Sequence, residues 1–245
     1  MVFRPRWKLA ALLPMLLSAI ACGPRGGSAD DRAAAQPPVD AKLPPVAGAT
    51  GPRVVVLGDS LTAGLGLAPA EAFPSLLQRR LEEAGLNYTV VNAGVSGDTS
   101  AGGLSRLDWA LDGDVRVLIV ALGGNDGLRG LPVTELAANL SQIIERAQAR
   151  GIKVILAGME APPNYGVKYT LDFHNVYPSL ARKYHVPLVP FLLARVAGIP
   201  ALNQPDGIHP TAEGARIVAD NVWAVLRPVV DQEQASVEVR KASGQ

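Results

Sequence analysis

The chain has 245 residues, 48% hydrophobic and 18% charged, a balance that suits one soluble globular domain and excludes a disordered chain. Lys+Arg 23 against Asp+Glu 22 give a net charge of +1; without the first 21 residues, which hold three basic and no acidic side chains, it becomes −2, so no basic footprint for nucleic acid remains. One Cys cannot form an internal disulfide or a thiolate zinc cluster, and three His leave little material for a metal site, so neither metal nor cofactor is expected.

Arg4, Arg6 and Lys8 precede an apolar run from Leu9 to Ile20 and then small residues, the layout of a secretory signal. The run is short for a bilayer span. Cys22 follows Ala19-Ile20-Ala21, which resembles the lipobox of bacterial lipoproteins except that Ala19 stands where Leu is usual. The resemblance implies a signal peptide over 1–21, lipidation of Cys22, and an anchored chain facing the periplasm, with Gly23 directing it toward an outer membrane. Export without an anchor, to the periplasm or beyond, is the alternative. Residues 22–52 carry Pro37-Pro38 and Pro44-Pro45 in an Ala- and Gly-rich stretch without amphipathic period, and read as a linker. The folded domain is expected over 53–230, followed by a polar tail, 231–245, that frays.

Within the domain, Val54 to Leu57, Val117 to Ala121 and Val154 to Ala157 are short unbroken apolar runs, the pattern of strands buried on both faces of a parallel sheet. Tyr88 to Asn92 and Pro187 to Phe191 are weaker strand candidates. One helix carries Leu136, Leu140, Ile143, Ile144 and Ala147 on a single stripe, with Gly151 as its stop. A last helix after Pro210 turns Ile217, Val218, Asn221, Val222, Val225 and Leu226 inward, with Trp223 at the edge. Alternating strands and helices of these lengths predict a doubly wound α/β sandwich, which places ligands at the carboxyl ends of its strands.

Polar, glycine-rich strings follow those strand ends: Gly58-Asp59-Ser60, Ser96-Gly97-Asp98-Thr99, Gly123-Gly124-Asn125-Asp126, and Asp206-Gly207-Ile208-His209 beyond the fifth strand. A serine nucleophile needs a base within hydrogen-bond reach, held in one tautomer by a carboxylate. His185 precedes the fifth strand and so belongs to the opposite end of the sheet. His174 falls within a helical segment and reads as an exposed helix residue. His209 follows the last strand at the polar rim, and Asp206, three residues earlier, can fold back to its Nδ1–H and leave Nε2 for Ser60. On its own, Ser60 could equally be a turn and helix-cap residue.

Acyl transfer also needs preorganised donors for an oxyanion. Gly97 can bring a backbone N–H close to substrate, Asn125 can offer its side-chain amide, and the Ser60 N–H is a third candidate. In isolation Gly97 could simply turn the chain and Asn125 could close an Asx turn. Asp59, Asp98 and Asp126 read as acceptors that organise loops.

Ser60, Gly97, Asn125 and His209 match the four blocks of the GDSL, or SGNH, hydrolase family. The strings Leu57 to Gly64, Val91 to Thr99, Leu122 to Gly130, Pro163-Asn164-Tyr165-Gly166 and Asp206 to Pro210 resemble its bacterial thioesterase I, lysophospholipase and arylesterase subgroup. The similarity covers nearly all of 53–230 in block order. It implies a flavodoxin-like α/β/α sandwich with five parallel strands ordered 2-1-3-4-5, and a metal-free serine hydrolase of acyl esters and thioesters. It implies Ser60 as nucleophile, His209 as base and then acid, Asp206 as its partner, and Ser60 N–H, Gly97 and Asn125 as the oxyanion hole. Asn164 matches a substrate-binding position near the acyl groove.

Two other readings stay open: a carbohydrate or envelope-polymer deacetylase of the same family, and a noncatalytic envelope-binding lipoprotein. An apolar groove favours acyl chains and stacked aromatics favour sugars, so the segment from Met159 to Tyr169 discriminates. Nucleotide binding is set aside, because there is no phosphate-binding P-loop and Gly64-Leu65-Gly66 lacks a third glycine.

Overall fold

Strands that are apolar on both faces need cover on both faces, and the chain supplies it by alternation. The computed structural model describes residues 51–242; the expected signal, Cys22 and the linker up to residue 50 lie outside the described residues. In chain order the elements are β1 (Arg53–Gly58), α1 (Ser60–Ala63), α2 (Phe73–Glu83), β2 (Thr89–Gly94), α3 (Ser100–Ser105), α4 (Leu107–Ala110) and β3 (Val115–Ala121). There follow α5 (Gly124–Leu128), α6 (Val133–Ala149), β4 (Lys153–Ala157), α7 (Val167–Tyr184), β5 (Leu188–Val189) and α8 (Ala212–Ala242).

The strands pair in parallel in the order β2-β1-β3-β4-β5, the order that the family resemblance implies. Helices α2 and α8 pack together, as do α6 with α3 and α7, giving a three-layer α/β/α sandwich. Val54 to Leu57, Val117 to Val120 and Ile155 to Ala157 have essentially no exposed surface, which is why these runs show no polar alternation. The α6 stripe of Leu136, Leu140, Ile143, Ile144 and Ala147 is buried as its spacing predicts. Each of its four large side chains contributes roughly 1.5–3 kcal/mol by leaving water. In α8, Val218, Val222 and Leu226 are buried and Trp223 packs at the edge of the core. Asn221 donates through Nδ2 to the Leu192 and Ala194 carbonyls.

Two expectations need correction. The fifth strand is only Leu188–Val189 rather than Pro187 to Phe191, because proline on each side, Pro187 and Pro190, has no N–H to give to the ladder. The segment after Asp231 does not fray there: α8 continues to Ala242. Its Gln, Glu, Ala and Arg residues are strong helix formers, Arg227 Nε holds Asp231 at 2.8 Å, and Val230 and Glu233 are buried, with Glu233 3.8 Å from Arg116. Small polar composition suggested a tail; helix propensity and a docked inner face decide otherwise.

Candidate active site

The first strand ends in a tight junction that aims Ser60 outward. Asp59 is the N-cap of α1, and its Oδ1 accepts the Leu61 N–H at 3.0 Å. Ser60, as the first residue of α1, keeps an N–H with no intrahelical acceptor. The turn sits directly on the end of β2, and only glycine at 94 permits this: a Cβ there would lie 2.3 Å from the Ala63 nitrogen.

The loop beyond β5 brings His209 to the same place. Asp206 Oδ1 accepts the Ile208 and His209 N–H groups at 2.9 and 3.0 Å, while Oδ2 lies 2.6 Å from His209 Nδ1. His209 Nε2 lies 2.8 Å from Ser60 Oγ, across 149 positions of sequence. These hydrogen bonds from His209 backbone and ring and from the Ile208 N–H lower the Asp206 carboxyl to about 2, so it is ionised wherever the protein is folded near neutrality. Gln204 secures the loop, donating through Nε2 to the Leu65 carbonyl at 2.7 Å and to the Pro210 carbonyl at 2.9 Å.

The other two blocks are laced to each other. Asn125, in α5 after β3, donates through Nδ2 to the Asp98 carbonyl at 3.0 Å and faces Asp59 Oδ2 at 3.4 Å. Arg129, which ends α5, donates to the Gly97 carbonyl at 2.8 Å. Asp126, buried, accepts the Ser100 N–H at 2.8 Å and its Oγ at 2.6 Å. Gly97 itself has φ +85°, a backbone that side chains other than glycine rarely adopt. Asp98 pairs with Arg106 at 2.6 Å.

Asp59 does more than organise a turn. It is 2% exposed, and burial raises its carboxyl from the ordinary 3.8 to about 6, opposed by the Leu61 N–H, the His209 charge and Asn125. With a folded-state value above the unfolded one, the native protein binds the extra proton, so stability falls as pH rises from about 4 to about 6 and is level above that. The shift corresponds to about 3 kcal/mol. Asp206 shifts the opposite way and contributes stability that is lost as pH falls through its folded value of about 2. Comparing the wild type with Asp59→Asn by urea unfolding between pH 4 and 6.5 cancels that contribution. The difference in unfolding free energy should change by about 2 kcal/mol in favour of the variant over this range as pH rises; a constant difference would show that Asp59 titrates like an exposed carboxylate.

Ser60, Asn125 and His209 line one open cleft with Leu61, Leu128, Met159, Pro162, Leu193 and Ile208. On the other side of Ser60 and His209 lies a tighter apolar recess that includes Leu65, Leu67, Phe73 and Val218. Asn164 sits exposed on the 3-10 turn Pro163–Tyr165 and is not among the residues that line the cleft. His185 ends α7 with φ +54° at the amino end of the sheet, apart from the cleft. His174 is an exposed α7 residue, yet its Nδ1 lies 2.6 Å from Glu160 Oε1. Among the described residues no group of three or more His, Cys, Asp or Glu side chains is arranged to hold a metal ion.

Sequence reasoning missed Arg106. Its guanidinium reaches Asp98, the Ala93 carbonyl and the Gly58 carbonyl, at 2.6, 2.8 and 2.8 Å, and so clamps the ends of β1 and β2 beside Ser60. A single arginine after a glycine-rich stretch carries no pattern that would mark it.

The GDSL-like lipase/acylhydrolase family model matches residues 56–217. Esterase TesA of Pseudomonas aeruginosa is 45% identical over 178 residues, covering 72% of this chain and 89% of its own. Thioesterase 1/protease 1/lysophospholipase L1 of Escherichia coli K12 is 38% identical over 181 residues, 74% of this chain and 86% of its own. A crystal structure of TesA superposes with a TM-score of 0.70 at 44% identity, over 73% of this chain and 99% of that one. The match spans β1 through α8 and includes all four polar loops, and the chain belongs to the GDSL-like lipase/acylhydrolase family.

Proposed function

We propose that the chain is a metal-independent serine esterase that hydrolyses acyl esters, including aryl esters, lysophospholipids and acyl thioesters. The observation that carries this reading is the Ser60 Oγ to His209 Nε2 contact of 2.8 Å, with Asp206 on Nδ1 at 2.6 Å, opening onto an apolar cleft. Ser60 Oγ attacks the acyl carbonyl as its proton passes to His209 Nε2, and Asp206 holds the ring and the charge it gains. The tetrahedral oxyanion is met by the Ser60 and Gly97 N–H groups and Asn125 Nδ2. Collapse expels the alcohol or thiol, which takes the proton from His209; water then attacks the acyl-serine with His209 again as base.

The cleft's lining argues for acyl chains over sugars. Leu128, Met159, Pro162 and Ile208 are apolar, and no Phe, Tyr or Trp lines it among the described residues. Leu128 and Ile208 of this lining are also exposed to solvent, as are Leu65 and Tyr165 outside it. Asn164 would act as a contact for substrate reaching beyond the cleft. For the leader we propose export and lipidation at Cys22, with 22–52 as tether, on the sequence layout alone. No helix among the described residues is long and apolar enough to cross a membrane.

A panel of p-nitrophenyl esters, lysophosphatidylcholine and acyl thioesters, run beside fluorophosphonate labelling and peptide mapping, tests the reading. Turnover is expected on acyl esters, with the label on Ser60. Absence of both turnover and label would favour the noncatalytic envelope-binding alternative.

A further inference from the structure

The apolar cleft contains one feature that ester hydrolysis does not use. Glu160 follows Met159 at the carboxyl end of β4 and lines the cleft together with Ser60 and His209. Its carboxylate is 39% exposed and is held by His174 Nδ1 at 2.6 Å, a contact between the wall and α7. Among the described residues that line the cleft there is no Lys or Arg.

Apart from His174, the ionisable side chains around the cleft have partners of their own. Arg129 is engaged with the Gly97 carbonyl and Lys168 with Asp172 at 2.5 Å. Asp59 is buried against Leu61 N–H and Asn125, and Asp206 faces His209. Glu160 is thus the acidic side chain on the cleft wall that substrate can meet without displacing the catalytic hydrogen bonds. A carboxylate beside low-dielectric walls acts over several ångströms with less screening than in open water.

We infer that Glu160, positioned by His174, is a specificity residue that selects substrates by charge: esters bearing a cationic group near the Met159–Pro162 wall are favoured and those bearing an anionic group there are disfavoured. The inference rests on the esterase reading, takes the acyl chain into the recess of Leu65, Leu67, Phe73 and Val218 on the other side of Ser60, and adds the chemical class of the leaving group at the Met159–Pro162 wall. A quaternary ammonium two carbons from the ester oxygen is such a cation. Because the contact forms on binding and lies away from the reacting carbonyl, its effect belongs mainly in KM.

The test compares butyrylcholine with 3,3-dimethylbutyl butyrate, its uncharged carbon isostere, by pH-stat with the full chain. The ratio of their kcat/KM values removes any general loss of activity. In Glu160→Gln the ratio should fall about threefold to tenfold, the range for one partly exposed charge pair, and Glu160→Asp should retain part of the preference. In the wild type the same ratio should decline as NaCl is raised from about 20 to about 500 mM, a measurement that needs no variant. A ratio equal in wild type, Glu160→Gln and Glu160→Ala, and indifferent to salt, would overturn the inference while leaving the esterase reading intact. Failure of the wild type to hydrolyse either ester while it turns over p-nitrophenyl esters would overturn the inference alone, and failure on all of these esters would overturn both.

Discussion

Replacing Ser60 by alanine should lower kcat on p-nitrophenyl esters by roughly 10⁶-fold while leaving the fold in place. The two halves of this expectation come from different observations. Ser60 Oγ bonds His209 Nε2, so its removal takes away the atom that would become the acyl carrier. The cap of α1 is Asp59, not Ser60, so the helix start survives, and the change in unfolding free energy should stay within about 0.5 kcal/mol. Adding His209→Ala to Ser60→Ala should cost little more, because residues that act as one unit are strongly non-additive. Hydrolysis by purified Ser60→Ala within tenfold of the wild type would remove Ser60 from the mechanism.

The parts of this site that are readable in sequence are those whose partners lie close along the chain or whose environment is uniform. Asp206 and His209 are three residues apart, and a turn alone brings carboxylate to ring. The β1, β3 and β4 runs are legible because both faces of each are buried and leave an unbroken apolar string. Ser60 could be matched with His209 only through the order of the blocks, since 149 positions separate them. The end of β5 depended on Pro190, and α8 beyond Asp231 on docking against Arg116, both of which local composition understates. Least legible were groups defined by three-dimensional neighbours: the burial that raises Asp59, the Arg106 clamp, and Glu160 meeting His174 from another element.

Asn125 joins the two kinds of information, and its replacement is the second large effect. Asn125→Ala should reduce kcat by about 10² to 10³, or roughly 2.7–4 kcal/mol of transition-state stabilisation, with a smaller change in KM, as for loss of one donor to a developing oxyanion. In the resting site Nδ2 gives one hydrogen to the Asp98 carbonyl at 3.0 Å, and its approach to Asp59 at 3.4 Å is long, so the second hydrogen is poorly engaged. That is the hydrogen an oxyanion would take. The same substitution has a readout that mere loosening of the loop would not give. Asn125 is one of the groups that lower the Asp59 carboxyl against the penalty of burial. Without it the Asp59 titration should move up in pH, and the stability loss between about pH 4 and 6 should extend higher. A kcat within threefold of the wild type, with the pH dependence of stability unmoved, would place Asn125 outside the oxyanion hole and leave the charge there to the two backbone N–H groups.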